Sequence, residues 1–284
     1  MDFELVIPVA PAHINLFDKH IGQIIKYVNP VRTTVIANGA FIGEVKNKYP
    51  HIHFMNEDEL DDTINMRFLR DYLQNRIGVS NRAGSYMQQF IKMVYAFKSQ
   101  TPLYLTWDID TIPHRPLSFF DEEKILFSYT DEYHVPYFDT MKRLFNMHKS
   151  FSKSFIAEHL MIDRDIMKEI VVKLQNVDLA KHWLVNGMDA VDDEFIGHSG
   201  FSEFETYGTY VFHNYKDRYK PRYFWHNRYD SKKISIRLYK KFISDIFDTS
   251  SFEVWAQSEI KLRRFKRFYK DTLERKKNFK LIEW

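Results

Sequence analysis

Apolar residues in the first third of the chain fall into short runs that alternate with segments of helical spacing. "FELVIPVA" from Phe3 reads as a strand, residues 13–28 as a helix, "TTVIANG" from Thr33 as a strand, and "IHFMNEDEL" from Ile52 as a third strand entering an acidic loop. Strands separated by helical segments predict an α/β fold with a mainly parallel sheet flanked by helices. In "NRAGSYMQQFIKMVYAFKS", Met87, Phe90, Ile91, Val94, Tyr95 and Phe97 recur at helical spacing after Gly84 and Ser85, which predicts a buried helix. "PLYLTW" follows as a fourth strand, and two aspartates, Asp108 and Asp110, stand at its carboxyl end. Ligands of open α/β sheets bind along that edge.

Further on, "KILFSYTDEY" reads as a strand, and "SFIAEHLMIDRDIMKEIVVKLQNV" as a strand-like entry turning helical near Asp163. "GHSGFSEFETYGTYVFHNY" reads as a Gly/Ser turn into a helix. With no repeat and no low-complexity linker, the softest boundary lies near 230, giving a catalytic domain over 1–230 and a helical basic extension over 231–284.

Charge sharpens that division. The chain has 284 residues and a net charge of +3, but residues 231–284 hold 15 Lys/Arg against 7 Asp/Glu, which leaves the rest at −5. A hydrophobic content of 44% supports a continuous core. There is no cysteine, which excludes disulfides, thiolate zinc sites and a Cys nucleophile. Neither a span of roughly 20 apolar residues nor a basic, apolar leader is visible, so the expected location is cytoplasmic, at most peripheral to the inner face of the cytoplasmic membrane.

Asp108 and Asp110 at i and i+2 can face one cation, and hard oxygen ligands suit Mg²⁺ or Mn²⁺, which neutralises a diphosphate leaving group. A solvated turn is the plain alternative. Together with "GSYMQQFIKM" and the later "HLMIDRDIMKEI" and "SEFETYGTYV", the "LYLTWDIDTIPHRPL" stretch resembles GT-A-type glycosyltransferases. More narrowly, it resembles a bacterial domain-of-unknown-function family read as sugar transferases, with the pattern Gly-aromatic-x-x-Gln-Gln-x-x-Lys, D-x-D and Ser-Glu-x-Glu-x-Tyr-Gly. The resemblance spans residues 1 to about 215. It departs in placing Ser85 before Tyr86, and residues past 230 have no counterpart.

The resemblance implies a GT-A-like, Rossmann-like fold and transfer of a sugar from a nucleotide-sugar to a saccharide or lipid-linked acceptor. The setting it implies is bacterial lipopolysaccharide or capsule assembly. It implies Asp110 on the metal and Asp108 on ribose or metal-bound water. Gln88 and Lys92, one helical turn apart, share a face on which Lys92 can meet a phosphate, whereas Gln89 fits a polar helix edge equally well. Val9 and Ala10, after the first strand, are expected to cradle the nucleotide. Glu203 is the expected general base of an inverting transfer. Glu205 is an acceptor or donor contact, or the third residue of a capping box begun by Ser202. His159 is a further contact or a core histidine, and His226, ahead of His213, the further metal ligand.

Ile260, Leu262, Phe265, Phe268, Tyr269, Leu273 and Phe279 stand among ten Lys/Arg between Lys261 and Lys280. Such a basic amphipathic stretch over 258–284 suits an anionic membrane surface or packing on the domain. Nucleic-acid binding through the same stripe is a different class, which the acidic body opposes. A metal-dependent phosphohydrolase or nucleotidyltransferase is the enzymatic alternative.

Overall fold

The computed structural model describes residues 1–230, 246–253, 270 and 272–278. In chain order these form β1 (Phe3–Pro8), α1 (Ile14–Val28), β2 (Arg32–Ala37), α2 (Gly39–Val45), β3 (His53–Asn56), α3 (Met66–Ile77), α4 (Ala83–Val94) and β4 (Leu103–Trp107). There follow β5 (Thr111–Pro113), β6 (Phe120–Asp121), β7 (Lys124–Tyr129), α5 (Val135–Phe145), β8 (His159–Asp163), α6 (Arg164–Gln175), α7 (Trp183–Asp189), α8 (Asp193–Ile196) and α9 (Glu203–Asn214). β9 (Tyr219–Tyr223), β10 (His226–Asp230) and β11 (Thr249–Glu253) complete the strands.

The central sheet has the order β3-β2-β1-β4-β8. Its first four strands are parallel, as the α/β alternation predicts, while β8 runs antiparallel to β4, with Trp107 opposite His159. The reversal brings the amino end of β8 to the edge where β1, β2, β3 and β4 end. Strands β1 and β4 are buried along their whole length, as strands covered on both faces must be. Helix α4 packs on β1 and against α3, α6 and α9, and the Tyr104 hydroxyl of β4 donates to the Lys92 carbonyl at 2.9 Å, which fixes the helix relative to the sheet.

Two segments absent from the sequence-level outline are helical for local reasons. Asn65 accepts from the Phe68 amide at 2.8 Å and starts α3, and Gly78, with φ of 75°, ends it in the left-handed conformation open to glycine. α5 begins with Pro136 in its first turn and ends at Asn146, also left-handed.

The division at 230 is crossed by structure. β11 pairs antiparallel with β5 and parallel with β10, and Ile246 and Phe247 are buried. From the tail, Arg275 binds Asp131, and Lys276 donates to the Ile246 carbonyl at 2.8 Å. Most of the basic stretch 258–284 lies outside the described residues, and among those described no helix is long and apolar enough to cross a membrane.

α9 lies against the loop before β8 at Gly208, where an added Cβ would overlap Cβ, Cγ and Cδ2 of the buried Phe155 ring. Gly208→Ala therefore lowers unfolding free energy by about 2–3 kcal/mol, read by urea denaturation. An unchanged midpoint would mean that α9 and Phe155 separate at little cost.

Candidate functional site

The carboxyl ends of β1, β2 and β4 open onto a cleft of about 420 Å³. Val9 and Ala10, following β1, and Ile36 of β2 form one wall; Gln88, Gln89 and Lys92 of α4 form another; Asp108 and Asp110 follow β4, and Glu203 enters from the first turn of α9. Every residue assigned above to the nucleotide, together with the assigned base, thus lines one cavity.

Lys92 is the hub. Its side chain is 3% exposed, and its Nζ lies 2.8 Å from Asp108 Oδ1 and 2.9 Å from Glu203 Oε1, with the Phe204 ring centroid at 4.4 Å. Burial alone would lower its pKa, but the two carboxylates outweigh burial and raise it. Gln88 donates to the same Asp108 oxygen at 2.7 Å. Burial raises the Asp108 carboxyl, opposed by Lys92 and reinforced by Glu158. Asp110 is pushed up to about 7, first by burial and then by the charges of Asp108 and Glu158. The Asp110 side of the site is therefore short of positive charge.

Trp107 explains the turn that carries both aspartates. Its indole is fully buried, stacks on His159 at 5.4 Å and donates from Nε1 to the Thr111 carbonyl at 2.9 Å, while the Thr111 amide donates to the Asp108 carbonyl at 2.9 Å. The residue before the motif thereby closes the loop after it. Trp107→Phe, which keeps most of the ring and removes the N–H, leaves the Thr111 carbonyl without that donor and lowers stability by about 1–2 kcal/mol. Thermal unfolding beside wild type reads it, and an identical transition would show the indole bond to be dispensable.

Sequence reasoning missed Glu158, Glu132, Arg82 and His13, which line the cleft together with Arg228. Glu158 is buried, holds φ at +60°, and receives the Arg228 guanidinium from β10 through Nε at 2.8 Å and through Nη2. A left-handed non-glycine residue costs energy unless its surroundings hold it, and Arg228, which also pairs with Glu132 at 3.0 Å, supplies that hold. The signal was hidden because a parallel β8 would have put this residue at the opposite edge.

Three of the expected residues have their partners outside the cleft. His159 is buried and absent from the cleft wall: its Nδ1 meets the Ala157 carbonyl at 2.8 Å, so Nδ1 donates and Nε2 accepts from Ser128 Oγ at 3.0 Å. Burial holds its pKa well below the usual value, so it is a neutral core histidine. Glu205 also lies outside the cleft. It binds Lys149 Nζ at 2.6 Å, Ser154 Oγ at 2.6 Å and the Phe155 amide at 2.9 Å, while its own amide donates to Ser202 Oγ at 3.3 Å. The helix cap is therefore real, and the Glu205 side chain anchors the loop before β8. His226 is not placed as a metal ligand: its two ring nitrogens lie 2.8 Å from Thr249 Oγ1 and 3.2 Å from Ser251 Oγ, and burial lowers its pKa to about 3. His213 meets the His148 carbonyl at 2.8 Å, away from the cleft.

No sequence family and no curated protein matches this chain. Solved glycosyltransferase structures do align with it. Mouse xyloside xylosyltransferase 1 in its apo form aligns at 10% identity and a TM-score of 0.47, over 91% of this chain and 100% of that one. Galactosyltransferase LgtC, in complex with donor and acceptor sugar analogues, aligns at 10% identity and 0.46, over 99% and 97%. Glycosyltransferase GlyE of Streptococcus pneumoniae TIGR4 aligns at 11% and 0.42, over 98% and 64%. Identities this low leave the chemistry to be read from this chain's own side chains.

The donor set can be tested for a divalent cation. Among the described residues, no three His, Cys, Asp or Glu are grouped to hold a metal. Asp108 and Asp110 alone still suit Mg²⁺ or Mn²⁺ where substrate phosphates and water complete the shell. The raised pKa of Asp110 reflects burial first and then the charges of Asp108 and Glu158, and such an ion would relieve the second of these.

Proposed function

We propose that the chain is a glycosyltransferase that moves a sugar from a nucleotide-sugar to a saccharide or lipid-linked acceptor. The observation that carries the reading is the buried Lys92, bridging Asp108 and Glu203 in a cleft at the carboxyl edge of a parallel sheet. That edge is where α/β sheets bind nucleotides. In this reading Val9, Ala10 and Ile36 receive the base and ribose, and Asp108 and Asp110 hold Mn²⁺ or Mg²⁺ against the donor diphosphate. The ion supplies charge neutralisation for the leaving group. Lys92 adds a fixed positive charge whose partners keep it ionised and in place, so no reorganisation is needed as charge develops.

Glu203 is the base of this scheme for an inverting reaction. Its Oε1 is already held by Lys92 at 2.9 Å, which fixes its position. Glu203→Gln retaining near-normal turnover in a folded protein would assign Glu203 to positioning Lys92 alone. The anomeric configuration of the product separates inversion from retention.

The substrates we propose belong to bacterial surface glycan assembly, in keeping with the sequence resemblance. Attachment to the cytoplasmic membrane face through residues 258–284 is part of this reading. It predicts that a chain ending near residue 250 pellets less with anionic liposomes than the full chain; equal pelleting would remove the membrane role.

The function is tested by thermal shift of the full chain against nucleoside diphosphates and nucleotide-sugars, with and without Mn²⁺. Stabilisation by one nucleotide, increased by Mn²⁺, is expected. No shift with any nucleotide would count against the whole reading, and phosphate release without sugar transfer would favour a phosphohydrolase.

A further inference from the structure

Among the described residues, the cleft contains three Lys/Arg side chains, and two are already neutralised: Lys92 by Asp108 and Glu203, and Arg228 by Glu132 and Glu158. Arg82 differs. It is half-buried just before α4, its Nε is buried without a hydrogen-bond partner, and its nearest polar contact is a long 3.5 Å approach of Nη2 to Ser199 Oγ. Within the described residues, no carboxylate pairs with it. The enclosed Nε is out of a ligand's reach; what Arg82 offers the cleft is a guanidinium charge to which no carboxylate is paired among the described residues.

The fork geometry of Arg matches a carboxylate or phosphate, and a neutral hydroxyl satisfies only part of it. Around it on the cleft wall stand Ser199 and Tyr137, whose side chains interact with one another, and the nearest acids felt by Tyr137, Glu132 and Glu203, already pair with Arg228 and Lys92. Arg82 precedes Gln88 by six residues, about 9 Å along a helix axis. It therefore stands beyond the Asp108 end of the cleft, where the diphosphate is placed above.

We propose that Arg82 is a specificity-determining residue that recognises an anionic group, a carboxylate or phosphate, on a saccharide bound in this cleft. The inference rests on the glycosyltransferase reading for its donor form. The anionic group belongs either to the transferred sugar or to the acceptor, and the two sources separate by experiment.

Isothermal titration of the full chain with Mn²⁺ compares UDP-glucuronate with UDP-glucose for the donor, and methyl glucuronide with methyl glucoside for the acceptor, with UDP alone as reference. At least a tenfold preference for the acidic member of one pair is expected, and the pair that shows it identifies the source. Arg82→Gln should reduce that preference to within twofold while changing UDP affinity less than twofold, and Arg82→Lys should keep only part of it. Circular dichroism checks the fold of both variants. If the Gln variant does not fold, the wild-type preference and its reduction in the Lys variant decide.

The inference is overturned by equal affinity within both pairs, by a preference that survives in Arg82→Gln, or by a tenfold loss of UDP binding in that variant, which would place Arg82 on the diphosphate. Absence of all nucleotide binding, with methyl glucuronide still preferred and dependent on Arg82, would overturn the nucleotide-sugar reading and keep the anion site.

Discussion

Lys92→Met lowers turnover by about 10²–10³-fold and unfolding free energy by about 3–5 kcal/mol. The stability loss arises because Lys92 is buried between two acids, at 2.8 Å from Asp108 and 2.9 Å from Glu203. Methionine fills a similar volume but leaves two desolvated carboxylates facing each other. One or both must then take up a proton. Because the partners raise the Lys92 pKa, its contribution is fully present below the usual lysine value and is lost only as pH rises beyond it. The deficit of the variant should therefore be largest near neutral pH and shrink on acidification, when the acids are protonated. Urea denaturation at pH 5 and 7.5, beside steady-state rates, checks both. A variant as stable as wild type with full turnover would mean that the bridge is neither structural nor catalytic.

Asp110→Asn should reduce turnover by about 10³-fold and abolish Mn²⁺-dependent stabilisation, yet raise the stability of the metal-free protein at high pH. The Asp110 carboxyl has its pKa pushed from 3.8 to about 7 by burial and by Asp108 and Glu158. The folded state thus binds the proton more tightly than the unfolded state does. Stability from this group is fully present below about pH 4 and declines as pH rises to about 7, where ionising the buried acid becomes unfavourable. Asparagine removes that cost, about 2 kcal/mol after allowing for solvent screening. At pH 8 the metal-free variant should melt above wild type, and at pH 4 the two should coincide. The same proton competes with a cation, so Mn²⁺ affinity of the wild type should fall as pH drops below 7. An unchanged melting difference across that range, with Mn²⁺ affinity independent of pH, would show that Asp110 is neither strained by charge nor a ligand.

The two variants differ in sign because the residues play opposite parts. Lys92 already has its counter-charges within the protein, whereas Asp110 has mostly like charges around it. In the proposed reading, the excess of acid around Asp110 is what a cation would offset, and the fixed ammonium of Lys92 is what would face a phosphate.

Periodicity along the chain was enough to determine the α/β class, the parallel arrangement of the first four strands, the buried helix α4, and the placing of Asp108 and Asp110 at a strand end, because each depends on neighbours within one element or its adjoining turn. Gln88 and Lys92 share a helix face for the same reason. Tertiary structure decided the rest. The antiparallel β8 turned Glu158 into a cleft residue, since strand direction is set by pairing partners distant in sequence. β10 brought Arg228 to it, and β11 crossed the division expected at 230. His159, His226 and Glu205 left the site because ring stacking, sheet hydroxyls and Lys149, all remote in sequence, gave them partners in the core. Trp107, unreadable in sequence, acquired its role once the chain turned back far enough for its indole to reach Thr111. A sequence states which side chains can ionise or hydrogen-bond, and only the fold states which of those bonds are already taken.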